Sequence, residues 1–303
     1  MRSLPTTSRN VCGIRAKRPS ASLPFLSIQS ALEQGTALLE QDGVSVPRLT
    51  AEVLLCHALK CERVYLYAHS REPLTELQWI HYGRYLNERL KGKPTQYITH
   101  QQEFYGRAFY VDERVLIPRP ETEHLVEAAL KTMAEQPDAT TLDVGTGSGA
   151  IAITLALERG RRVLACDLSR RALELASGNA KKLGAAVGFL EGDLAEAVLP
   201  RSLDLLVSNP PYVPGGDQAN MQREVRDWEP HIALFAGDSG LEIYRRLIAQ
   251  ATDAVRAGGH LLMELGFQSL EGVRAMLAND WTDIEVTSDL AGWPRVIAAR
   301  RRG

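Results

Sequence analysis

The stretch "SNPPYVP", residues 208–214, holds the groups with the clearest chemical potential in this chain. The side-chain oxygen of Asn209 and the backbone carbonyl of Pro210 can each accept one N–H hydrogen bond. Pro210 and Pro211 have no backbone N–H groups and hold both acceptors rigidly, and Tyr212 can stack on a planar group. The pattern predicts a site that binds a planar amide or amino nitrogen. Such a nitrogen is weakly nucleophilic, and its reaction depends more on accurate positioning than on a strong general base.

A second candidate site is the glycine-rich stretch "LDVGTGSGAI", residues 142–151. Gly145, Gly147 and Gly149 stand at a turn from a strand into a helix, where the backbone and the helix N-terminus can approach a ligand closely. Gly145, Gly147 and Ala150 also satisfy the GxGxxA dinucleotide pattern. The glycines alone therefore leave two enzyme classes open, a nicotinamide oxidoreductase and an S-adenosylmethionine-dependent methyltransferase.

Two aspartates follow later strands. Asp167 lies 22 residues after Gly145, where a carboxylate can accept hydrogen bonds from ribose hydroxyls. It could instead cap the next helix, a role that Ser169 also fits. Asp193 either contacts an adenine amino group or finishes a turn. With S-adenosylmethionine as the ligand, the Asn209 loop would hold the acceptor nitrogen in line with the sulfonium methyl group, and the Pro210 carbonyl would stabilise the developing positive charge.

Alternating strands and helices position these residues. After Pro118, short apolar runs bounded by turn residues alternate with amphipathic stretches, which predicts a doubly wound, mostly parallel sheet. The NPPY residues follow the run "LDLLV", at a carboxyl strand end where such sheets bind ligands. Paired prolines could also serve only to end that strand.

The rest of the chain divides by pattern into three further segments. Residues 1–26 are rich in Ser, Pro and Arg, which predicts a disordered extension or a transit-like segment. Residues 27–93 show helical periodicity, including a capping box at Thr75 and Gln78, and predict a small helical domain. Residues 94–118 alternate around Gly106 and predict a β-hairpin linker to a catalytic domain of residues 119–303.

Composition limits the function classes. The chain has 303 residues and a net charge of -2, with five basic and no acidic residues among the first 32, so the body is acidic. That balance disfavours stable nucleic-acid binding. No apolar run is long enough to span a membrane, and the histidines lack metal-ligand spacing, so we expect neither membrane insertion nor a metal.

Four stretches together resemble the HemK/PrmC family of release-factor glutamine N5-methyltransferases. They are "IPRPETEHLVE" (117–127), "LDVGTGSGAIAI" (142–153), "VSNPPYVP" (207–214) and "EPHIALFAGDSGLEIYRRLI" (229–248). The resemblance implies a class I (Rossmann-like) methyltransferase fold of seven strands, the last antiparallel, behind an N-terminal helical domain that engages the substrate protein. It also implies methyl transfer from S-adenosyl-L-methionine to the side-chain amide of the glutamine in the Gly-Gly-Gln loop of class 1 peptide chain release factors.

The motifs and the resemblance together predict the residues of the site. The cofactor contacts are expected from Gly145, Thr146, Gly147, Ser148, Gly149, Asp167, Asp193, Leu194 and Asn209. The substrate amide is expected at Asn209, Pro210, Pro211 and Tyr212, with Asn209, Pro210 and Tyr212 catalytic. Leu194 replaces a Trp of some members, so adenine would make only apolar contact there. His100 replaces a common glycine and affects only the local turn, and Arg119 is expected near the cofactor or the acceptor.

Other readings fit some of the same residues. A DNA or RNA amino-methyltransferase acting on N6 of adenine or N2 of guanine would use the same NPPY loop on a flipped base, although the acidic body argues against it. A noncatalytic scaffold would have no need of the glycines, Asp167 and NPPY, and a nicotinamide oxidoreductase leaves NPPY without a purpose. We expect a cytoplasmic monomer, or a mitochondrial or plastid protein if residues 1–24 are a transit peptide.

Overall fold

The computed structural model describes residues 26–303, so the predicted extension of residues 1–26 lies outside the described residues except for its last position. The chain divides into two compact units, one that ends at Tyr82 and one that runs from Gly83 to Gly303. The boundary falls inside a helix, whereas the sequence pattern places it after residue 93. Within residues 26–303, no helix combines the length and the apolar character needed to cross a membrane.

The first unit is helical. Its helices are α1 (Ile28–Gln41), α2 (Pro47–Leu59), α3 (Arg63–Ala68) and α4 (Glu76–Leu90), of which α4 continues past the boundary. Ser27 caps α1 by accepting a hydrogen bond from the Ser30 backbone N–H. Before α4, the Thr75 N–H donates to Gln78 Oε1 at 2.9 Å and the Gln78 N–H donates to Thr75 Oγ1 at 3.3 Å. The predicted capping box is therefore confirmed.

The second unit begins with a short helix, α5 (Thr95–Thr99), and an antiparallel hairpin of β1 (Gln102–Phe104) and β2 (Arg107–Phe109). The hairpin thus occupies only the middle of the predicted span 94–118. His100 ends α5 with φ of 56°, the left-handed conformation that glycine adopts most easily, and its ring stacks on Tyr110 with centroids 5.2 Å apart. Non-glycine residues rarely adopt this conformation, and His100 combines it with the stacking contact.

The remaining elements alternate as the sequence predicts. In chain order they are α6 (Glu123–Glu135), β3 (Thr141–Val144), α7 (Ala150–Arg159), β4 (Val163–Asp167), α8 (Arg170–Leu183), β5 (Val187–Glu191), β6 (Leu203–Ser208), α9 (Arg223–Trp228), α10 (Glu242–Ala254), β7 (Val255–Glu264), α11 (Leu270–Leu277), β8 (Trp281–Ser288) and β9 (Pro294–Arg301). The sheet has seven strands in the order β5-β4-β3-β6-β7-β9-β8, and β9 runs antiparallel to both of its neighbours. The predicted fold class is confirmed.

Two apolar cores cover the two faces of this sheet. One joins α10 and α11 to alternate residues of the central strands, with Trp281 and Tyr244 fully buried. The other core joins α6 and α7 to the strand residues that alternate with those of the first core. Because the chain winds from β3 outward to β5 and then returns to β6, the loops after β3 and β6 flank the point where the winding direction reverses. A ligand crevice is expected there.

Candidate active site

A cleft opens at the carboxyl ends of β3, β4, β5 and β6, and residues from the loops after all four strands line it. Of the residues predicted from the sequence, the cleft is lined by Gly145, Gly147, Asp167, Asp193, Leu194, Asn209 and Pro211. The fold therefore brings together predicted residues that lie up to 66 positions apart in the chain. Thr146, Ser148, Gly149, Pro210 and Tyr212, which were also predicted, are not among the residues that line the cleft.

The glycine loop contacts the cleft through its open backbone rather than through free N–H groups. Gly145, Gly147 and Gly149 have φ values of 71°, 55° and 82°, and a Cβ on Gly145 or Gly147 would meet no protein atom. The N–H groups of Gly145 and Thr146 donate to the Cys166 carbonyl at 2.9 and 3.0 Å, and the Gly149 N–H donates to the Thr146 carbonyl. The sequence predicts N–H groups that face the ligand; in the structure the N–H groups of Gly145, Thr146 and Gly147 are bonded to Cys166 and Asp167 at the end of β4, whereas that of Gly149 is bonded within the loop.

Behind the loop, a buried carboxylate occupies the N-terminus of α7. Asp143 is fully buried on β3, and its Oδ2 accepts hydrogen bonds from Thr146 Oγ1 at 2.7 Å and from the Ala152 N–H at 3.2 Å. Burial raises the pKa of Asp143 to about 7, against the lowering effect of those two hydrogen bonds. A carboxyl group of the protein itself therefore already accepts a hydrogen bond from the first turn of α7.

Asp167 is held by two backbone N–H groups at the end of β4. The Gly147 N–H donates to Oδ2 at 2.9 Å and the Ser169 N–H donates to Oδ1 at 2.8 Å. Burial raises the pKa of Asp167, while the backbone donors lower it. Ser169 caps α8 through the Ala172 N–H, as predicted, so Asp167 is not the cap. Each carboxylate oxygen retains a lone pair for a ligand that enters the cleft.

The turn after β5 forms the next part of the wall. Asp193 pairs with Arg246 of α10, with Oδ2 2.6 Å from Nη2, and both residues line the cleft. Leu194 adopts a left-handed conformation with φ of 59°, and its carbonyl accepts a hydrogen bond from the Cys166 thiol at 2.9 Å. Asp193 thus forms an ion pair with Arg246, a contact that was not predicted from the sequence.

An apolar part of the lining was not predicted from the sequence. It includes Pro230, Ile232, Ala233 and Ile243 from the segment that precedes and begins α10, and Leu168 after β4. Ile232 and Leu168 are both more than half exposed. Pro230, Ile232, Ala233 and Ile243 lie in the stretch "EPHIALFAGDSGLEIY", which carries part of the family resemblance. Its apolar residues have no periodicity that would predict a contact with the cleft.

The NPPY loop lines the cleft with Asn209 and Pro211, whereas Tyr212 packs against Gly266. Pro210 is buried, and a Cβ on Gly266 would lie 2.6–3.0 Å from the Cβ, Cγ and Cδ2 atoms of Tyr212. Burial raises the pKa of the Tyr212 hydroxyl to about 12, which keeps it neutral. One side of the ring is therefore covered by Gly266, and stacking of Tyr212 on an acceptor stays a prediction.

Asn209 is the member of this loop that is bonded to other segments. Its Nδ2 donates to Thr122 Oγ1 at 3.1 Å, and Thr122 Oγ1 donates to Glu264 Oε2 at 2.6 Å. Thr122 and Glu264 are 4% and 1% exposed. Sequence reasoning missed both, although Thr122 lies inside the "IPRPETE" stretch and Glu264 ends the apolar strand β7.

Arg119, the other residue singled out in that stretch, forms an ion pair. Its Nη2 lies 2.5 Å from Oε1 of the buried Glu229, whose Oε2 accepts the Ile117 N–H at 3.2 Å. Burial raises the pKa of Glu229 against the lowering effect of Arg119. The pair ties the segment before α6 to the segment after α9, and a contact of Arg119 with cofactor or acceptor stays a prediction.

Comparisons with known proteins give the chain its relatives. A family model described as the PrmC N-terminal domain matches residues 30–99, and one described as the methyltransferase small domain matches residues 123–226. A release factor glutamine methyltransferase of Koribacter versatilis is 44% identical over 91% of this chain and 99% of its own length. Proteins of the same name from Nitratidesulfovibrio vulgaris and Bacillus cereus are 42% and 36% identical, over 93% and 90% of this chain and 97% and 99% of their own lengths.

Among solved structures, the hMettl16 catalytic domain in complex with the MAT2A 3'UTR hairpin 6 superposes with a TM-score of 0.54 and 18% identity. The match covers 72% of this chain and 81% of that one. At that identity the likeness supports the methyltransferase fold alone.

Proposed function

The chain belongs to the release factor glutamine methyltransferase family, and from that premise we propose that it methylates N5 of the glutamine in the Gly-Gly-Gln loop of class 1 peptide chain release factors. It is a methyltransferase that acts on a release factor glutamine. The proposal adds the methyl donor, the nitrogen and the class of factor.

The methyl donor that fits the cleft is S-adenosyl-L-methionine. Asp167 would accept the ribose hydroxyls, and Leu194 with Ile232 would enclose the adenine by apolar contact. Because Gly145 and Gly147 have no Cβ and no protein atom fills the space beside them, a ligand can approach their backbone. When bound, this cofactor supplies an electrophilic methyl group on a sulfonium centre. Thr146, Ser148 and Gly149 belong to the same loop and would hold its conformation around the cofactor.

Asp143 argues against the competing dinucleotide. A pyrophosphate would need the N-terminus of α7, where the positive end of the helix dipole and the first N–H groups attract anions. Here the Asp143 carboxyl group already accepts the Ala152 N–H. A second anion at that place would be repelled by any ionised Asp143, whereas a cationic sulfonium ligand would not.

One observation carries the choice of acceptor. Among residues 26–303, no donor is bonded to Asn209 Oδ1 or to the Pro210 carbonyl, although Asn209 Nδ2 is held by Thr122. A primary carboxamide nitrogen carries two N–H groups and can satisfy both acceptors at once. The two acceptors would hold the amide nitrogen for alkylation, and its surplus proton can leave for water after the transfer.

The helical domain is proposed to engage the release factor. The PrmC N-terminal match covers most of it. Its surface includes exposed apolar side chains on α3 and α4, namely Val64, Tyr67, Leu77 and Ile80. Residues 27–93 would bind the substrate protein, residues 94–118 would link the domains and residues 119–303 would carry the chemistry. A monomer and a cytoplasmic location stay predictions.

The first test is a transfer assay with labelled S-adenosylmethionine. The acceptors are a recombinant class 1 release factor, the same factor with its loop glutamine changed to alanine, and structured RNA and DNA in parallel. We expect label on the wild-type factor only, and a loss of at least about a hundredfold in Asn209→Ala, since that variant removes a positioning acceptor. Label on nucleic acid with none on the factor would overturn the proposal in favour of a base as acceptor.

A further inference from the structure

The three residues Asn209, Thr122 and Glu264 form a chain of hydrogen bonds with a defined direction. Asn209 follows β6, Thr122 precedes α6, and Glu264 ends β7. Asn209 Nδ2 lies 3.1 Å from Thr122 Oγ1, which lies 2.6 Å from Glu264 Oε2. The last two side chains are buried and cannot exchange this arrangement for water.

Counting protons fixes the direction. A threonine hydroxyl has one proton, and an ionised carboxylate only accepts. While Glu264 is ionised, the Thr122 proton is therefore committed to Glu264, and only lone pairs of Oγ1 face Asn209. The NH₂ end of the Asn209 amide satisfies those lone pairs, whereas its oxygen end would be repelled by them.

We propose that Glu264, acting through Thr122, is a positioning residue that determines which end of the Asn209 amide faces the acceptor. With Nδ2 held by Thr122, Oδ1 is the atom left for the substrate N–H group. This inference rests on the proposed function, because it takes Asn209 to be the residue that accepts from the acceptor nitrogen. Neither Thr122 nor Glu264 needs to touch the substrate.

The arrangement depends on the charge of Glu264. Burial raises its pKa to about 7, opposed by the Thr122 hydrogen bond and the nearby Arg295 and Arg119, while Glu121 adds to the rise. Tyr212 also faces this carboxyl group and is neutral. A protonated Glu264 can donate to Thr122 Oγ1, which frees the hydroxyl proton to point at Asn209. The oxygen end of the amide then suits Thr122 better, and the NH₂ end would turn to the acceptor.

The sign of the pH effect follows directly. The productive orientation is present above the pKa of Glu264 and is lost as the pH falls through it. We therefore expect the rate of transfer to a release factor to rise between pH 6 and pH 8 at saturating substrate concentrations.

The test compares four variants in full-length protein. Thr122→Val removes the hydroxyl at nearly constant volume, and we expect kcat to fall about tenfold, the loss of one orienting hydrogen bond. Cofactor affinity by calorimetry should not change. Thr122→Ser should restore kcat to within about threefold. Thr154→Val is the matched control, since Thr154 is fully buried in α7 with no partner for its hydroxyl among the described residues, and it should keep kcat.

Glu264→Gln supplies the readout that a merely structural role would not move. The glutamine oxygen can still accept the Thr122 proton but has no charge to titrate, so we expect the rate to become flat between pH 6 and pH 8. A wild-type pH profile in Glu264→Gln, or equal kcat values in Thr122→Val and Thr154→Val, would overturn the positioning role. No transfer to any release factor by the wild-type protein would instead overturn the proposed function.

Discussion

The two sides of the cleft are built in different ways. On the side proposed for the cofactor, the contacts that hold the glycine loop and Asp167 join residues within 20 positions of each other, such as Asp143 with Thr146 and Gly147 with Asp167. On the side proposed for the acceptor, Asn209 contacts Thr122 across 87 positions and Thr122 contacts Glu264 across 142. The first side is a local property of consecutive strands and turns, whereas the second exists only when distant strands are assembled. Mutations should therefore separate donor binding from transfer.

The largest effect is expected from Gly147→Ala. A left-handed residue with a Cβ is strained, and that Cβ would occupy cleft space open to the ligand. We expect the affinity for S-adenosylmethionine, measured by calorimetry, to fall roughly a hundredfold, as overpacking costs of a few kcal/mol imply.

Gly184→Ala is the matched control for backbone strain. Gly184 ends α8 with φ of 75°, and a Cβ there would also meet no protein atom. It should lower stability while cofactor affinity stays unchanged. Equal losses of affinity in both variants would mean that general destabilisation, and not the local loop, governs binding.

A smaller effect, on stability, is expected from Asp143→Asn. The pKa of Asp143 is raised to about 7, so the folded state binds a proton that the unfolded chain has released. That contribution is complete below the unfolded pKa near 4 and is lost as the pH rises through 7. Relative to the variant, the wild-type protein should lose about 3 kcal/mol of unfolding free energy between pH 5 and pH 8.

Urea denaturation at the two pH values measures this difference. The introduced amide keeps an acceptor oxygen for Thr146 and Ala152, so the variant should fold. Asp217→Asn changes an exposed residue and serves as the control. A free-energy difference that does not vary with pH would contradict the buried, proton-binding role of Asp143.

The smallest effect is expected from Arg246→Ala. Its ion pair with Asp193 is partly exposed, with 46% and 35% of the two side chains accessible. Such pairs contribute about 0–1 kcal/mol, so cofactor affinity should change by less than about threefold. A loss above tenfold would break the comparison, because it would make the donor side depend on a contact between distant segments.

The same contrast explains what the sequence could predict. The glycine loop, Asp167 and the alternation of strands and helices are visible in short stretches, and the structure places Gly145, Gly147 and Asp167 on one cleft. The β-hairpin predicted over residues 94–118 spans only residues 102–109, because residues 95–99 form the helix α5 instead. Local patterns thus predicted elements well and their ends less well.

Residues whose role comes from distant partners could not be found in that way. Thr122 looks like one more residue at a helix start, and Glu264 looks like a polar end to an apolar strand. Only the sheet order, with β7 beside β6, brings Glu264 near the loop after β6. The bonding of the loop N–H groups to Cys166 is equally invisible, since it depends on how β3 and β4 pair.

The position of Glu264 late in the chain has a consequence during synthesis. Domains form as their segments leave the ribosome, from the N-terminus onward. A nascent chain that has emerged as far as β6 already contains Asp143, the glycine loop, Asp167 and Asn209, but not β7. Such a chain contains the glycine loop and Asp167 before it contains the residue that orients Asn209. The full rate of transfer is therefore expected only after β7 has been synthesised and has joined the sheet.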